Sequence, residues 1–390
     1  MKETKSSARK VFVLGAGMIG NAIARDLAAR GDLDVHVADS KPGNLERVKA
    51  KAPVETHQVD LGDPNTVRGL LEGATLAIGA LPSVIGLQSV RAAIEARCNM
   101  VDISFMSEDA RVLDGLAKER GVVAVTDSGV APGLSNMMAA SAAAALDTCE
   151  RLEIGVGGLP ALRRWPYEYK AGFAPWDVLE EYTRPARVVE DGEIVIKEAM
   201  SGLKLIDVPE VGTLESFITD GLRSLADSVK VPFMEERTLR WPGHVALMKI
   251  FRETGFFSLD PIQVAGATLR PRDMTAALLF PKWTFEEGEA DITVMQVKTW
   301  GTKNGRPATF TYDFLDRYDP ATGLRSMSRS TGFTATAVAG LILDGTLEEP
   351  GVFAPEALAL RPGILDGVIG YLQARGIRVT QAVGEAAPIS

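Results

Sequence analysis

The sequence predicts an α/β fold, in which a parallel, doubly wound sheet at the N-terminus is followed by a second domain of the α+β class. Between Lys10 and Asp127, short runs of β-branched residues alternate with stretches that have helical spacing. The first of these runs leads into the glycine-rich turn GAGMIG. After Asp147 the alternation stops, and longer strand patterns with proline-rich connections follow.

Six strands are predicted in the first domain, and each of them ends at the start of a turn. Helices such as those expected at residues 19–29 and 107–119 separate the strands. Apolar strands that alternate with helices indicate a parallel sheet covered on both faces, and right-handed crossovers then give a Rossmann domain. The predicted strands are VFVLG (ending at Gly15), VHVAD (Asp39), VETHQVD (Asp60), TLAIGA (Ala80), MVDIS (Ser104) and VVAVTD (Asp127).

The second domain is expected at residues 131–329, whereas residues 1–130, completed by residues 330–390, form the Rossmann domain. Near the end of the second domain, the alternating strands ITVMQVKTW and ATFTYDFLDRY flank Asn304-Gly305, a pair typical of hairpin turns. We expect this loop to be longer than two residues. One face of the hairpin should pack on a core or on another subunit.

An apolar helix, FTATAVAGLIL, follows the hairpin, and Ser330 or Thr331 is expected to cap it. The tail from Pro355 predicts a helix and a short strand. We expect these elements to return to the first sheet.

Composition places the chain among compact globular proteins. Of its 390 residues, 46% are hydrophobic and 24% are charged, which excludes a disordered chain and a coiled coil. The formal net charge of −9 would repel a nucleic-acid backbone, and we expect neither a nucleic-acid partner nor a membrane span. The two cysteines, Cys98 and Cys149, form no CxxC pair, which predicts a cytoplasmic protein with no zinc or other metal site.

The glycine-rich turn predicts a dinucleotide site. Gly15 would allow the tight turn, Gly17 would let the backbone approach a pyrophosphate, and Gly20 would let helix and strand pack closely. Met18 and Ile19 begin the following helix, whose N-terminal amides would meet the phosphates. The alternatives are a purely structural turn and a site for FAD or S-adenosylmethionine.

An acidic residue at the end of the second strand predicts which dinucleotide binds. Asp39 lies 19 residues after Gly20. A carboxylate at this position accepts both ribose hydroxyls and repels a 2′-phosphate. NAD is therefore expected as the cofactor rather than NADP, although the charge of the neighbouring Lys41 would favour the phosphate.

Ligands of open α/β sheets bind beyond the carboxyl ends of the strands, so the residues there are candidate site residues. Asp127, in DSGVAPG, is the first-domain candidate for the chemistry, because the glycines and proline around it suit close approach to a ligand. For Asp60 and Asp102, capping of a following helix is an equal alternative. The strand-end residues expected to contact the cofactor are Asp60, Leu61, Ala80, Leu81, Pro82, Asp102 and Ser104.

Substrate-binding candidates are concentrated in two motifs of the second domain, TDGLRSL and TLRWPGH. Arg240 and Arg223 are candidate clamps for a carboxylate, since a guanidinium binds it bidentately, and a surface position is the alternative. Asp220, close to Arg223 in sequence, is a third candidate substrate-binding residue. His244 follows a Pro-Gly turn and is the histidine best placed for acid–base work, with a role at a helix start as the alternative.

Several motifs are more specific than the glycine turn. Together with the turn itself, the motifs are VLGAGMIG, GALPS, VDISFM, DSGVAPGLSN, VGGLP, EEYTRPARV, TDGLRSL, TLRWPGH and SMSRSTGFTA. Over nearly the whole chain these motifs resemble the saccharopine dehydrogenase-like enzymes, and within that family the chain is most similar to the lysine 6-dehydrogenase branch. The stretch ALRRWP differs from the proline-rich form of that branch.

The resemblance implies an NAD-dependent oxidoreductase that acts on the CH–NH2 group of an amino acid. The implied reaction is oxidative deamination of the L-lysine ε-amine to allysine, which cyclises to 1-piperideine-6-carboxylate, with release of ammonia. Asp127 or His244 would take the substrate proton, and an arginine would hold the α-carboxylate. A homodimer is expected. The alternatives are saccharopine, another ω-amino acid or a polyamine as substrate, and, from a different class, an NAD-binding redox regulator.

Overall fold

The computed structural model describes residues 9–385 and shows an α/β architecture in two compact units. The first unit comprises the residues up to Leu134 together with Ser328–Arg375. The second comprises Ser135–Met327 together with the residues from Gly376 onward. Among the described residues, no helix is both long and apolar enough to cross a membrane.

The strands and helices are numbered in chain order. The strands are β1 (Arg9–Leu14), β2 (Leu33–Asp39), β3 (Glu55–Gln58), β4 (Leu76–Gly79), β5 (Asn99–Asp102), β6 (Val123–Val125), β7 (Thr148–Pro160), β8 (Ala186–Glu190), β9 (Glu193–Lys197), β10 (Lys204–Val208), β11 (Gly212–Thr219), β12 (Phe233–Arg240), β13 (Ile262–Val264), β14 (Ala267–Leu269), β15 (Asp291–Lys303), β16 (Arg306–Arg317), β17 (Gly351–Phe353) and β18 (Arg378–Glu385). The helices are α1 (Met18–Ala28), α2 (Pro42–Lys49), α3 (Pro64–Leu71), α4 (Ser83–Glu95), α5 (Asp114–Arg120), α6 (Leu134–Ala144), α7 (Pro175–Thr183), α8 (Leu225–Ser228), α9 (His244–Glu253), α10 (Pro271–Trp283), α11 (Ser326–Leu343), α12 (Pro355–Ala359) and α13 (Ile364–Gln373).

The first unit is built on a seven-stranded parallel sheet with the order β17-β6-β5-β4-β1-β2-β3. This confirms the predicted doubly wound sheet. All of β4 and the last four residues of β1 are buried, as expected for strands whose two faces are both covered. The direction of strand progression reverses between the neighbours β1 and β4, and ligands bind at the carboxyl ends of strands at such a reversal.

The six predicted strands of this sheet are all present, and their ends lie within two residues of the predicted positions. The helix predicted at residues 107–119 begins later. Asp109 accepts a hydrogen bond from the Arg111 amide (2.9 Å) and starts a 3₁₀ turn, which passes into α5 at Asp114. The helical spacing of apolar residues thus extends upstream of α5, through the 3₁₀ turn that Asp109 caps.

The C-terminal part of the chain is divided between the two units. Strand β17 pairs with β6 in the first sheet, and α12 and α13 also belong to the first unit. Strand β18 pairs instead with β16 of the second sheet, so the assignment of all of residues 330–390 to the Rossmann domain is wrong for this strand. Which sheet receives a terminal strand depends on a partner that is distant in sequence, and the local pattern does not encode it.

A buried aspartate ties the C-terminal helices of the first unit to α1. Asp26 of α1 accepts hydrogen bonds from the Thr336 hydroxyl of α11, from the Tyr371 hydroxyl of α13 (2.7 Å) and from Arg375 Nε (2.6 Å). These three donors satisfy a carboxylate whose burial would otherwise be costly.

The second unit is built on a nine-stranded mixed sheet, in agreement with the predicted α+β class. Its main path is β10-β11-β12-β7-β15-β16-β18, and β8 pairs with both β12 and β9. Strands β12 and β7 run parallel to each other. The pairs β7–β15, β15–β16 and β16–β18 are antiparallel. Helices α7, α9 and α10 enclose a core whose large aromatic members are Tyr169, Tyr182, Phe217, Phe257 and Trp283.

The hairpin between β15 and β16 is tighter than the sequence suggests. Lys303 pairs with Arg306, so the loop consists of Asn304 and Gly305 alone, with φ values of 52° and 72°. The expectation of a longer loop is wrong, because both strands continue beyond their apolar segments up to the turn. Two positive φ values are the mark of a type I′ turn, for which Asn-Gly is favoured.

Helix α11 begins at Ser326, one turn before the predicted caps Ser330 and Thr331. Its cap comes from elsewhere in the chain. The buried carboxylate of Asp291 in β15 accepts hydrogen bonds from the amides of Ser326 (2.7 Å) and Met327 (3.1 Å). Because this acceptor lies 35 residues upstream of Ser326, no local spacing reveals it.

We expect Asp291→Ala to destabilise the protein by about 2 kcal/mol, because two first-turn amides of α11 lose their acceptor in a buried place. Asp291→Asn keeps one oxygen and should lose less. Urea unfolding followed by circular dichroism measures both effects, with the exposed Glu287→Ala as the matched control. Equal stability of the Asp291→Ala variant and the control would contradict this role.

Candidate active site

The glycine turn after β1 is packed so closely that two of its glycines cannot be replaced. Gly15 has a φ of +94°, and a Cβ built on it would lie 2.4 Å from the carbonyl oxygen of Ala80. A Cβ on Gly20 would lie 1.8 Å from the carbonyl oxygen of Gly15. The end of β1, the start of α1 and the end of β4 therefore meet backbone to backbone.

Gly17 is a glycine for a different reason. A Cβ built on Gly17 would meet no protein atom within 4 Å, and the residue is exposed. Gly17 is also the N-cap of α1 and supplies no side-chain cap to the first-turn amides of the helix, which begins at Met18. Helix N-terminal amides that lack such a cap suit a phosphate group, and the turn therefore fits a dinucleotide.

Asp39, at the end of β2, is fixed beside this turn. Its Oδ2 accepts a hydrogen bond from the Ala16 amide (2.7 Å) and one from Asn44 Nδ2 (3.0 Å), and its Oδ1 accepts one from the Lys41 amide (2.7 Å). The carboxylate is thus held in one orientation at the position where an adenine ribose is read in Rossmann domains. Oδ1 accepts one of these three bonds and keeps a second acceptor position, which can take a hydroxyl group.

The ends of β3 and β4 contribute differently. Asp60 is exposed and accepts a hydrogen bond from the Gly62 amide (2.8 Å), while the cap of α3 is Asp63, so the capping alternative for Asp60 is wrong. The side chains of Leu61 and Leu81 lie in the hydrophobic core of the first unit, which leaves their backbones for a ligand. Ala80 is half-buried, and the exposed Pro82 is the N-cap of α4.

Two carboxyl groups come together at the ends of β5 and β6. Asp102 is fully buried and accepts hydrogen bonds from the amide (2.8 Å) and the hydroxyl (3.1 Å) of Ser104. Asp127 follows β6 in the left-handed conformation, with a φ of 52°, and the Ser128 amide donates to the Asp102 carbonyl (2.9 Å). Because Asp109 starts the following 3₁₀ turn, Asp102 caps no helix.

Burial raises the pKa of Asp102 to about 7, and the charge of Asp127 acts in the same direction, while the two bonds from Ser104 oppose it. A carboxyl group that titrates near neutral pH at the end of a parallel strand is a feature of functional sites. The sequence predicts Asp102 and Ser104 as cofactor contacts and Asp127 as a candidate for the chemistry, and these residues lie at the ends of two neighbouring strands of the sheet.

In the second unit, Arg240 is not an open clamp. Its guanidinium is buried, Nη2 donates to the Glu181 carboxylate, Nη1 donates to the Leu239 carbonyl (3.0 Å) and the group lies over the ring of Tyr169 (4.7 Å to the centroid). Burial raises the pKa of Glu181, and the charge of Arg240 opposes this. The predicted role of Arg240 in holding a substrate carboxylate is at odds with a guanidinium already paired to a protein carboxylate.

His244 is also a buried structural residue. Its Nδ1 lies 2.8 Å from the Tyr167 carbonyl, which can only accept, so Nδ1 carries the proton. Its Nε2 then accepts the hydroxyl hydrogen of Tyr182 (2.8 Å). Burial, and then the charge of Arg240, lower the pKa of His244 to about 3. The ring is therefore neutral near pH 7 with both nitrogens engaged. This is at odds with its predicted acid–base role and fits the alternative, a place at the start of a helix, since His244 is the first residue of α9.

The remaining second-unit candidates, Asp220 and Arg223, precede Arg240 in sequence. Asp220 accepts three hydrogen bonds from Arg187, from the amide (3.1 Å), Nε (2.8 Å) and Nη2 (3.0 Å). Arg223 is buried in the left-handed conformation, with a φ of 54°. Asp220 is thus committed to an ion pair within the protein, which does not support its prediction as a substrate ligand.

One buried acid in the second unit escaped the sequence prediction. Glu236 of β12 accepts a hydrogen bond from the Thr219 hydroxyl, and burial raises the pKa of Glu236 to about 8. The alternation of apolar and polar residues along β12 does not distinguish Glu236 from an exposed glutamate. Glu181, the partner of Arg240, is also absent from the predicted site residues. It lies in the motif EEYTRPARV, and this motif could have indicated it.

Two family models match the chain, one after the other. Residues 11–125 match the model described as "Saccharopine dehydrogenase NADP binding domain". Residues 129–377 match the one described as "Saccharopine dehydrogenase C-terminal domain". The second match alone spans more than half of the chain.

Curated proteins show the same relationship. The chain is 26% identical over 200 residues to the mitochondrial alpha-aminoadipic semialdehyde synthase of Mus musculus, covering 49% of this chain and 21% of that protein. It is 21% identical over 423 residues to the NADP(+), L-glutamate-forming saccharopine dehydrogenase of Saccharomyces cerevisiae, covering 89% and 94%. It is 22% identical over 390 residues to the carboxynorspermidine synthase of Vibrio cholerae, covering 89% and 92%. The chain thus spans about a fifth of the mouse protein.

Among solved structures, the apo saccharopine dehydrogenase (L-Glu forming) from Saccharomyces cerevisiae has the same fold. The TM-score is 0.80 at 20% sequence identity, with 96% of this chain and 100% of that chain covered. This likeness shows the fold of the chain. Together with the two family matches, it establishes what the motifs indicated: this chain belongs to the saccharopine dehydrogenase family.

Proposed function

We propose that this chain is an oxidoreductase that uses a nicotinamide dinucleotide to oxidise a carbon–nitrogen bond of an amino-acid substrate. The observation that carries the proposal is the turn around Gly17, where α1 begins without a side-chain cap and a Cβ would meet no protein atom within 4 Å. Membership of the saccharopine dehydrogenase family supports the substrate class. The paired carboxyl groups of Asp102 and Asp127 at the same sheet edge support proton chemistry there.

The proposed cofactor is NAD. The residues that would hold it are the turn from Gly15 to Gly20, Asp39, and the backbone after β3 and β4. The carboxylate of Asp39 would accept ribose hydroxyls and would repel a 2′-phosphate. The names of the family model and of the yeast relative point to NADP instead. The activity with NAD is therefore to be compared with the activity with NADP.

The proposed reaction is the oxidative deamination of the L-lysine ε-amine. When bound, the nicotinamide takes up the hydride. The ε-ammonium group, with a reference pKa of about 10.4, has to lose a proton before its carbon can give up hydride. Water then adds to the resulting iminium carbon, ammonia leaves, and allysine remains, so that lysine loses two electrons in total.

Asp127 is the proposed proton acceptor. Its carboxylate would also stabilise the positive charge of the substrate iminium. Asp102 is less suited to contact a substrate, because it is fully buried and Ser104 occupies both of its oxygens. It would act through its charge on Asp127. Neither His244 nor Arg240 takes part in these steps, since their polar atoms are bonded within the protein.

Saccharopine is a second candidate substrate. The yeast relative that this chain covers almost completely is named as L-glutamate-forming. With saccharopine the same oxidation removes hydride from the lysine ε-carbon and leaves an iminium bond to the secondary nitrogen. Water then adds to this carbon, the carbon–nitrogen bond breaks, and glutamate leaves instead of ammonia. The two substrates are therefore distinguished by the nitrogen product.

The substrate test mixes the purified protein with NAD or NADP and one amine at a time: L-lysine, saccharopine, ornithine or a diamine. We expect lysine to give reduced nicotinamide and ammonia in equal amounts, faster with NAD. Glutamate without ammonia from saccharopine would assign the second candidate. Dinucleotide binding without turnover of any amine would favour a redox-sensing role and contradict the proposed activity.

We expect Gly17→Ala to weaken NADH binding at least about tenfold, equivalent to about 1.4 kcal/mol, while the melting temperature stays unchanged. The reason is that the added Cβ enters the space for the phosphate and touches no protein atom. Fluorescence titration with NADH measures binding. Gly69→Ala in α3, which also meets nothing within 4 Å, is the matched control. Normal binding by Gly17→Ala would place the dinucleotide elsewhere.

We expect Asp127→Asn to lower turnover by about 100- to 10,000-fold with NADH binding retained, because the proton acceptor is lost.

His244→Gln should keep the inflections of the wild-type pH profile between about pH 5 and pH 9, since a histidine with a pKa of about 3 does not titrate in this range. Steady-state kinetics across pH measure both variants. Loss of an inflection in His244→Gln would restore His244 as the acid–base residue.

A further inference from the structure

A cluster of nitrogen and oxygen ligands lies on the two strands at one edge of the first sheet. His36 is in β2, and Glu55 and His57 are in the edge strand β3. In the parallel register His36 is opposite Glu55, and Ala38 is opposite His57, so the three side chains project from the same face. One donor atom from each of the three lies within 4.8 Å of the other two.

The donor atoms of this cluster converge. His36 Nδ1 lies 2.8 Å from His57 Nε2 and 3.7 Å from a Glu55 carboxylate oxygen. The other ring nitrogen of His36, Nε2, lies 3.1 Å from the carboxylate of Asp34. A carboxylate can only accept, so Nε2 of His36 carries the ring proton and the lone pair of Nδ1 points to His57 and Glu55.

This arrangement is that of a metal-ligating histidine. Such histidines bind the metal through one nitrogen and donate the other N–H to a carboxylate, which fixes the tautomer and the ring orientation. Asp34 supplies this carboxylate for His36. The buried ring of Phe12 stacks on His36 with centroids 4.9 Å apart and lies 5.5 Å from His57, which restricts both rings.

We propose that His36 Nδ1, His57 Nε2 and a carboxylate oxygen of Glu55 bind one divalent transition-metal ion of the Zn²⁺ class. Two imidazoles and a carboxylate suit Zn²⁺ and its neighbours rather than Mg²⁺ or Ca²⁺, which prefer all-oxygen sets. Binding replaces the hydrogen bond between the rings. His57 moves its ring proton from Nε2 to Nδ1, so that no proton is released when both rings are neutral.

The site uses none of the residues assigned to dinucleotide binding, and the inference stands independently of the proposed function. Its structural effect is to join the edge strand β3 to β2. The absence of a CxxC pair predicts no metal site. Ligands from two strands that are 19 to 21 residues apart leave no such spacing, and only the parallel register brings them together.

The test uses the full chain without a histidine tag, stripped of metal with a chelator. Addition of Co²⁺ should give visible absorption bands of a low-symmetry nitrogen and oxygen site, saturating at one ion per chain, and Zn²⁺ should displace it. Zn²⁺ should also raise the melting temperature, because it binds the folded chain. Absence of saturable binding of both ions overturns the proposal.

Variants locate the ion. His57→Gln should abolish the Co²⁺ bands, Glu55→Gln should weaken Zn²⁺ binding, and Asp34→Asn should weaken it about 10- to 100-fold through the orientation of His36. Glu46→Gln, an exposed glutamate of α2, is the matched control and should bind as the wild type. His57 is only partly buried, so its replacement should leave the fold intact. Unchanged binding by His57→Gln would overturn the site.

Discussion

The candidate site of the first unit depends on one steric constraint, the contact of three backbone segments at Gly15, Gly20 and Ala80. A single methyl group on either glycine would collide with a carbonyl oxygen. This close packing fixes the first turn of α1 against the ends of β1 and β4, where the sheet order reverses. Because all the strands are parallel, the polar residues that follow the other strands reach the same edge. The backbone of the sheet thus determines where the site lies, and no single side chain does.

The elements that the sequence predicted well are those that local interactions encode. The six strands, the glycine turn and the position of Asp39 follow from the spacing of residues that are close together in the sequence. Three features could not be predicted in this way. The cap of α11 comes from Asp291, the last strand joins the second sheet, and the partner of Arg240 is Glu181, each contributed by a distant segment. Residue type suggested that Arg240 and His244 bind ligands, but burial decided otherwise.

The buried cluster around Arg240 in the second unit has its own physical logic. A charged pair taken out of water gains little net stability, because desolvation offsets the attraction. The hydrogen bonds determine orientation instead: Arg240 Nε donates to the Tyr182 hydroxyl, this hydroxyl donates to His244 Nε2, and His244 Nδ1 donates to the Tyr167 carbonyl. Replacing either end would leave a buried polar atom unsatisfied, which costs more than the bond itself contributes. The cluster therefore specifies how α7 and α9 pack on β12.

The division of the C-terminal segment between the two sheets has a consequence for synthesis on the ribosome. Strand β6 ends at Val125, but its neighbour β17 begins at Gly351. During translation the first sheet carries an unpaired edge at β6 until the segment between these two strands and β17 itself have been made. The second sheet likewise waits for β18, the last described element. Open strand edges invite pairing with other chains, and such long-range closure slows folding. The nascent chain therefore passes through a long period in which both sheets are incomplete and chaperones have the most to protect.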